Sequence, residues 1–207
     1  MTKATFTQAD FDVFTIEGLG PRMSALKTKL QPKLTHIGER IKQQLQGEIN
    51  EPLYLHVAKH QRRTVNPPID SWFALSTNKR GYKKHPHFEV GLFDDRVFVY
   101  FALMHNIPDK AKLAKHLIEH QSIFDQLDPS FVFSLDHYDK EAQSIDVLTH
   151  QSLGYLQNTK KADFLIGKQL KKQTVIEMHG DDFDQYVIDT FTSLLSFYHE
   201  MILAQMK

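Results

Sequence analysis

The chain has no cysteine among its 207 residues. That excludes disulfides, zinc–thiolate sites, iron–sulfur clusters and thiol nucleophiles. It has no excess charge either, because 25 lysines and arginines balance 25 aspartates and glutamates. A general nucleic-acid coat would be basic overall, so any anion must be held by local placement of charge. No stretch approaches the ~18 uninterrupted apolar residues of a membrane span. The opening MTKATFTQADFDVF lacks the apolar core of a secretory signal. The expected location is the cytoplasm, with no membrane partner. Glycine is sparse, and the glycine-built signatures are missing: no phosphate loop, no dinucleotide fingerprint after a strand, no nucleophile elbow. Gly18-Leu19-Gly20 is followed by Pro21, the wrong context for a dinucleotide turn. No repeat or Gly/Ser linker divides the chain, which suits one domain over residues 1–207.

Periodicity supplies the elements. Thr7 followed by Asp10 reads as a capping box for a short helix over 8–14. Met23, Leu26, Leu30, Leu34, Ile37, Ile41 and Leu45 recur at threes and fours, one apolar helical stripe starting near Arg22 and closing at Gly47. Pro32 lies inside that stripe and is expected to kink or split it. Strands are expected over 53–58, 71–77, 87–93 and 96–104, with a tight turn at Asp94-Asp95. Pairing Phe93 with Arg96 sets Leu92 opposite Val97, Val90 opposite Val99 and Phe88 opposite Phe101. Those six apolar side chains then share one face, which should meet the helices. The other face carries His87, Glu89, Gly91, Phe98, Tyr100 and Ala102, with Gly91 leaving room for the Phe98 ring. Pro108 is expected to open a helix that ends near Asp128-Pro129. Residues 130–135 and 163–170 read as strands, and Thr149 as the cap of a helix over 150–159. Asp181 or Asp182 is expected to cap a final helix. Hairpins flanked by helices make this an α+β fold: a mainly antiparallel sheet with a central meander, covered by amino- and carboxyl-terminal helices.

Charge is concentrated in residues 56–87. Lys59, Arg62, Arg63, Lys79, Arg80, Lys83 and Lys84 face a single acid there, Asp70. Such a local field suits an anion, and arginine forks suit two oxygens of one phosphate or carboxylate. Gly81 can take a positive φ, which would let backbone N–H groups of the 78–84 loop face that anion. A solvated loop guarding sheet edges is the plain alternative. If residues 54–62 stay extended, Tyr54, His56, Ala58, His60 and Arg62 share one face. His85, His87 and Glu89 form a His-x-His-x-Glu pattern that can chelate a metal. Neighbouring cations oppose that by repulsion, so no metal and no cofactor is expected. Asn66-Pro67-Pro68 reads as a rigid connection, Trp72 as a packing residue, and Asp136-His137 with Asp139 as a chance loop cluster.

HVAKHQRRTVNPP at 56–68, Trp72, TNKRGYK at 77–83, PHFEVGLF at 86–93 and LMH at 103–105 resemble the YktB-like family. These are uncharacterised single-domain proteins of Gram-positive bacteria. The likeness starts at TFTQADFDVFTIEGLGPRM (5–23), is most specific over 56–105 and is looser beyond. It implies an α+β fold of its own type and no activity or functional residue. The candidate ligand residues therefore rest on charge and chemistry alone: His56, His60, Arg62, Arg63, Asn78, Lys79, Arg80, Lys83 and His87. They point first to a cytoplasmic binding protein for a phosphorylated or polyanionic partner, an anionic small molecule or a nucleic acid. The alternative is an enzyme in which a histidine acts as general acid or base beside arginines on a phosphate- or carboxylate-bearing substrate.

Overall fold

Alternation of apolar and small side chains builds the sheet, and the computed structural model describes residues 5–206 of the chain. Among them are the strands β1 (Tyr54–Val57), β2 (Ser71–Ser76), β3 (His87–Leu92), β4 (Arg96–Leu103), β5 (Val132–Ser134), β6 (Gln143–Ser144) and β7 (Phe164–Lys171). They form one antiparallel sheet in the order β1-β2-β3-β4-β7-β5-β6. The central meander has the expected register: Phe88 pairs with Phe101, Val90 with Val99 and Leu92 with Val97. The Phe93 N–H donates to the Arg96 carbonyl at 2.9 Å and closes the turn. Gly91 lies opposite Phe98, and a Cβ there would come within 2.3 Å of that ring and 2.6 Å of the Trp72 Cβ.

The helices are α1 (Gln8–Phe11), α2 (Leu19–Ala25), α3 (Gln31–Leu45), α4 (Lys110–Glu119), α5 (His150–Asn158), α6 (Lys172–Glu177), α7 (Gly180–Ser193) and α8 (Leu195–Met206). The capping box at Thr7 forms, with the Thr7 N–H donating to Asp10 at 2.7 Å. Thr149 caps α5 as expected, accepting from the Ser152 N–H. Phe73, Val90, Val99, Phe101 and Ile166 pack against the helical layer in the main core. The α3 helix lies on β1, β2 and α7. A two-pronged pair at 2.7 Å, Arg40 to Asp184, ties it to α7.

Three local expectations need correction. Of the kink or split expected at Pro32, the split does not occur. A π turn at Leu26–Leu30 precedes it, and the Gln31 N–H reaches back to the Leu26 carbonyl. The wider turn absorbs the proline, so helical backbone runs without a break from residue 19 to 45. Pro108 stands outside α4, which begins at Lys110 after Asp109 in a left-handed conformation (φ 55°) and ends at Glu119, with a separate 3₁₀ segment over Gln121–Gln126 before Asp128. Lys110 sets that start: its buried ammonium donates to the carbonyls of Thr159, Lys160 and Ala162 at 2.7, 3.1 and 2.7 Å. His179, and neither Asp181 nor Asp182, occupies the cap position of α7, and both acids lie in the first turn. The short β6 and α6 carry too little periodicity to be read from sequence.

The second face of the sheet positions the site. Trp72, Ala74, Phe98, Tyr100, Ala102 and Leu165 line it, and Ala58, Phe93 and Met104 pack on them as a smaller apolar cluster. His87 and Glu89 are buried on the same face.

Candidate functional site

The site begins where β1 runs out. The Ala58 N–H still pairs with the Trp72 carbonyl at 2.9 Å, but His60 then takes a left-handed φ of 50°. The Arg63 N–H donates to the His60 carbonyl at 3.0 Å and closes a turn. Residues 54–62 therefore do not stay extended, and His60 does not continue the face of His56. The turn throws Lys59, Arg62 and Arg63 around a cleft of about 600 Å³. Across it stands the half-buried Lys83, whose ammonium lies 4.6 Å over the Trp72 ring. The Arg63 guanidinium lies 5.8 Å from the Tyr138 ring on the opposite lip. Among the described residues, none of these four cations forms a salt bridge.

The two cationic segments thus meet only in part. Lys83 joins the 59–63 turn, whereas Lys79, Arg80 and Lys84 are exposed and stand outside the cleft lining. Gly81 does take a left-handed φ of 69°. Two of the N–H groups after it are spent, because Lys84 donates to Gly81 and His85 to Tyr82 at 2.8 and 2.9 Å. Asn78 acts through its backbone, its carbonyl meeting His56 Nε2 at 2.9 Å. His56 stacks on Tyr82 at 4.9 Å, and the buried His87 packs edge-on against the same ring. Nδ1 of His87 is bonded to the His85 carbonyl at 2.8 Å, and Glu89 stands 3.6 Å from its Nε2. Among the described residues, His85, His87 and Glu89 do not converge as a three-ligand group.

An acid lies beneath the cations. Asp70 is 2% exposed, and its Oδ1 is buried without a hydrogen-bond partner. Pro67-Pro68 leads into it, pinned by the Arg22 guanidinium on the Pro68 carbonyl at 2.9 Å. Burial, chiefly, pushes its carboxyl up to about 6, with Glu89 adding to the rise. A narrow recess continues past Asp70 to Glu89, Phe98 and Tyr100, with room of about 10 Å³, that of one water. His60 sits edge-on to Trp72, its Nε2 also buried and unpartnered. Burial, reinforced by Arg63 and Lys83, pushes its pKa down to about 4, so the ring is neutral at physiological pH. Lys83 is lowered by burial as well, with Glu89 and Asp70 pulling the other way.

A second cluster adjoins the cleft. The β4–β7 register pairs Leu103 with Phe164, which sets Asp163 beside His105. The Asp163 N–H donates to the Leu135 carbonyl at 2.9 Å and so draws in the chain leaving β5, which carries His137. Asp163 is buried, and its two oxygens meet His105 Nδ1 at 2.9 Å and His137 Nδ1 at 2.5 Å. Burial pushes its carboxyl up, but the two imidazoles and the His105 N–H outweigh that and hold it below its ordinary range. His137 also lines both the cleft and the recess. It is thus anchored to a buried carboxylate rather than free in its loop. Residues 105, 137 and 163 share no local motif, and the one visible hint was an acid opening the apolar run FLIG.

Residues 6–198 match the family described as Domain of unknown function (DUF1054). The UPF0637 protein OB1420 of Oceanobacillus iheyensis is 48% identical over 193 residues, covering 93% of this chain and 94% of that protein. A UPF0637 protein of Exiguobacterium sibiricum is 42% identical over 95% of this chain and 98% of its own length. The UPF0637 protein SH1846 of Staphylococcus haemolyticus is 38% identical over 96% of this chain and 100% of its own. These are Gram-positive proteins, in keeping with the resemblance of the 56–105 block. Among the described residues, no helix is long and apolar enough to cross a membrane.

Proposed function

The chain belongs to the DUF1054 family, and from that premise we propose that it binds a small anion-bearing molecule in the cytoplasm through the cleft of Lys59, Arg62, Arg63 and Lys83. One observation carries this reading: four cations that form no salt bridge among the described residues surround a concave space whose floor holds the unpartnered Oδ1 of Asp70. Its volume of about 600 Å³ falls within the ~300–1,000 Å³ of small-molecule sites. Concavity favours a small molecule over a nucleic acid, which would ask for a basic stripe along the surface. The ligand has two poles. A phosphate or carboxylate meets the arginine forks at the mouth. A hydrogen-bond donor reaches Asp70 Oδ1, the buried acceptor that lacks a partner.

A catalytic reading has one observation in its favour. His137 is held through Nδ1 by the buried Asp163 and lines the same cleft, which leaves Nε2 as the nitrogen for a substrate proton. In that reading His137, rather than His56 or His87, is the general acid or base.

Calorimetric titration with a panel of phosphate- and carboxylate-bearing metabolites, at low and high salt, tests the binding. At least one compound should bind, weaken with salt, and lose about tenfold to hundredfold affinity in Arg62→Ala/Arg63→Ala, since hydrogen bonds to charged groups contribute roughly 1.5–3 kcal/mol. Affinity indifferent to both salt and the double variant would remove the electrostatic basis.

A further inference from the structure

We infer that His105, His137 and Asp163 form a binding site for one divalent transition-metal ion on the wall of the cleft. The three ligand atoms, two imidazole nitrogens and a carboxylate oxygen, all lie within 4.8 Å of one another. A tetrahedral ion about 2.0–2.2 Å from each needs donors roughly 3.3–3.6 Å apart, so the two nitrogen–oxygen separations, 2.9 and 2.5 Å as hydrogen bonds, open when an ion takes the protons' place. The donors are pre-set by the backbone. Asp163 is fixed at the entry to β7, and the His105 and His137 N–H groups clasp its oxygens at 2.5 and 3.3 Å. Both rings turn Nδ1 toward Asp163, one to each of its oxygens, with the imidazole planes 14° apart and the centroids 6.2 Å apart. Without metal, each Nδ1–H donates to a carboxylate oxygen. An ion replaces those two hydrogens as the tautomers carry their protons on Nε2.

The donor set chooses the ion. Two nitrogens and one oxygen, with no thiolate in the chain, suit zinc, iron(II) or cobalt(II), and not calcium or magnesium, which prefer all-oxygen shells. Three protein ligands leave positions open. His137 lines the cleft, so an open position on that side would meet the anionic pole of a bound molecule. Two ammonium groups oppose the ion, because Lys83 and Lys110 both interact with Asp163. Lys110 is itself held by three carbonyls, which fixes its charge in place. Their repulsion weakens the site, so a readily exchanged ion is the expectation, not a permanently held one.

The chain carries a useful internal control. His116 and His120 stack at 4.0 Å, and Glu200 meets His116 Nε2 at 2.9 Å, but these residues do not converge as a three-ligand group. Chelator-stripped full-length protein is titrated with zinc by calorimetry and with cobalt(II) by visible absorption. One equivalent should bind, with cobalt bands of a low-coordinate nitrogen–oxygen site. His105→Ala removes a ligand itself and should weaken binding by at least the roughly 10–100-fold that loss of an outer-shell partner costs. It leaves the fold intact, because the imidazole is half-exposed and bonded only to Asp163. His105→Ala/His137→Ala should abolish uptake, and His116→Ala/His120→Ala should leave it unchanged. No uptake by the folded parent overturns the inference. So does uptake that survives the first double variant or disappears in the second.

Discussion

An Asp70→Asn protein will be more stable than its parent above about pH 6, and it will bind its ligand more weakly. The carboxyl of Asp70 is pushed from 3.8 to about 6, mainly by burial. Between those values the folded chain holds a proton that the unfolded chain has released. Stability therefore falls as pH rises through the window, and the cost stays constant above it. A rise of two units corresponds to at most about 3 kcal/mol. Asparagine cannot ionise, so the difference between variant and parent should grow from near zero at about pH 4 to about 2–3 kcal/mol above about pH 6. The parent's own curve hides this. His60, lowered to about 4, adds stability as pH rises over much of the same window and offsets Asp70. Urea unfolding of metal-free protein across that range isolates the Asp70 contribution. A difference that stays flat with pH would show that the carboxyl is not perturbed. A buried group that costs stability and lines a cleft is the usual signature of a site kept for function.

Gly167→Ala should cost the fold itself. Gly167 lies in β7 opposite Tyr100 of β4 and Val132 of β5, in the interior of the sheet. A Cβ there would stand 1.9 Å from the Val99 carbonyl oxygen and 3.0 Å from the Tyr100 Cα. Both are backbone atoms, so no rotamer change relieves the clash. Only parting β4 from β7 does, and that breaks the ladder on which Asp163 and His105 depend. The expected loss is about 3 kcal/mol or more, a large share of a typical domain's ~5–15 kcal/mol. A shift in denaturation midpoint, with poor recovery of folded protein, reads it out. A midpoint unchanged by the methyl group would contradict the pairing of β4 with β7.

What the sequence revealed follows from how far each feature reaches along the chain. The β3–β4 register was legible because a two-residue turn and strict alternation fix it locally. The capping box at Thr7 and the cap at Thr149 were legible for the same reason. Pro32 was seen, but its π-turn remedy involves no residue type that announces it. The insertion of β7 between β4 and β5 left no local trace. With it went the meeting of His105, His137 and Asp163, whose hydrogen bonds span 58 and 26 positions. In the basic segment, charge showed which residues were candidates, while backbone geometry decided which converged. The left-handed turn at His60, a non-glycine residue, brings Lys59, Arg62 and Arg63 toward Lys83. The 3₁₀ turn at Tyr82–Lys84 leaves Lys79, Arg80 and Lys84 outside. Asp70 entered the sequence only as the single acid against seven cations. Its burial depends on Pro68 and on the start of β2.

Trp72 offers the sharpest probe of a basic cleft that receives an anion. It is the chain's single tryptophan, it lines the cleft, and the Lys83 ammonium lies 4.6 Å over its ring. An anion at the mouth pulls that ammonium off the indole face. Its emission should therefore change saturably when inorganic pyrophosphate is added at low salt, and the change should vanish at high salt and in Lys83→Ala. Emission that pyrophosphate leaves untouched at low salt, or alters equally in Lys83→Ala, would mean that the cations around Trp72 do not receive an anion.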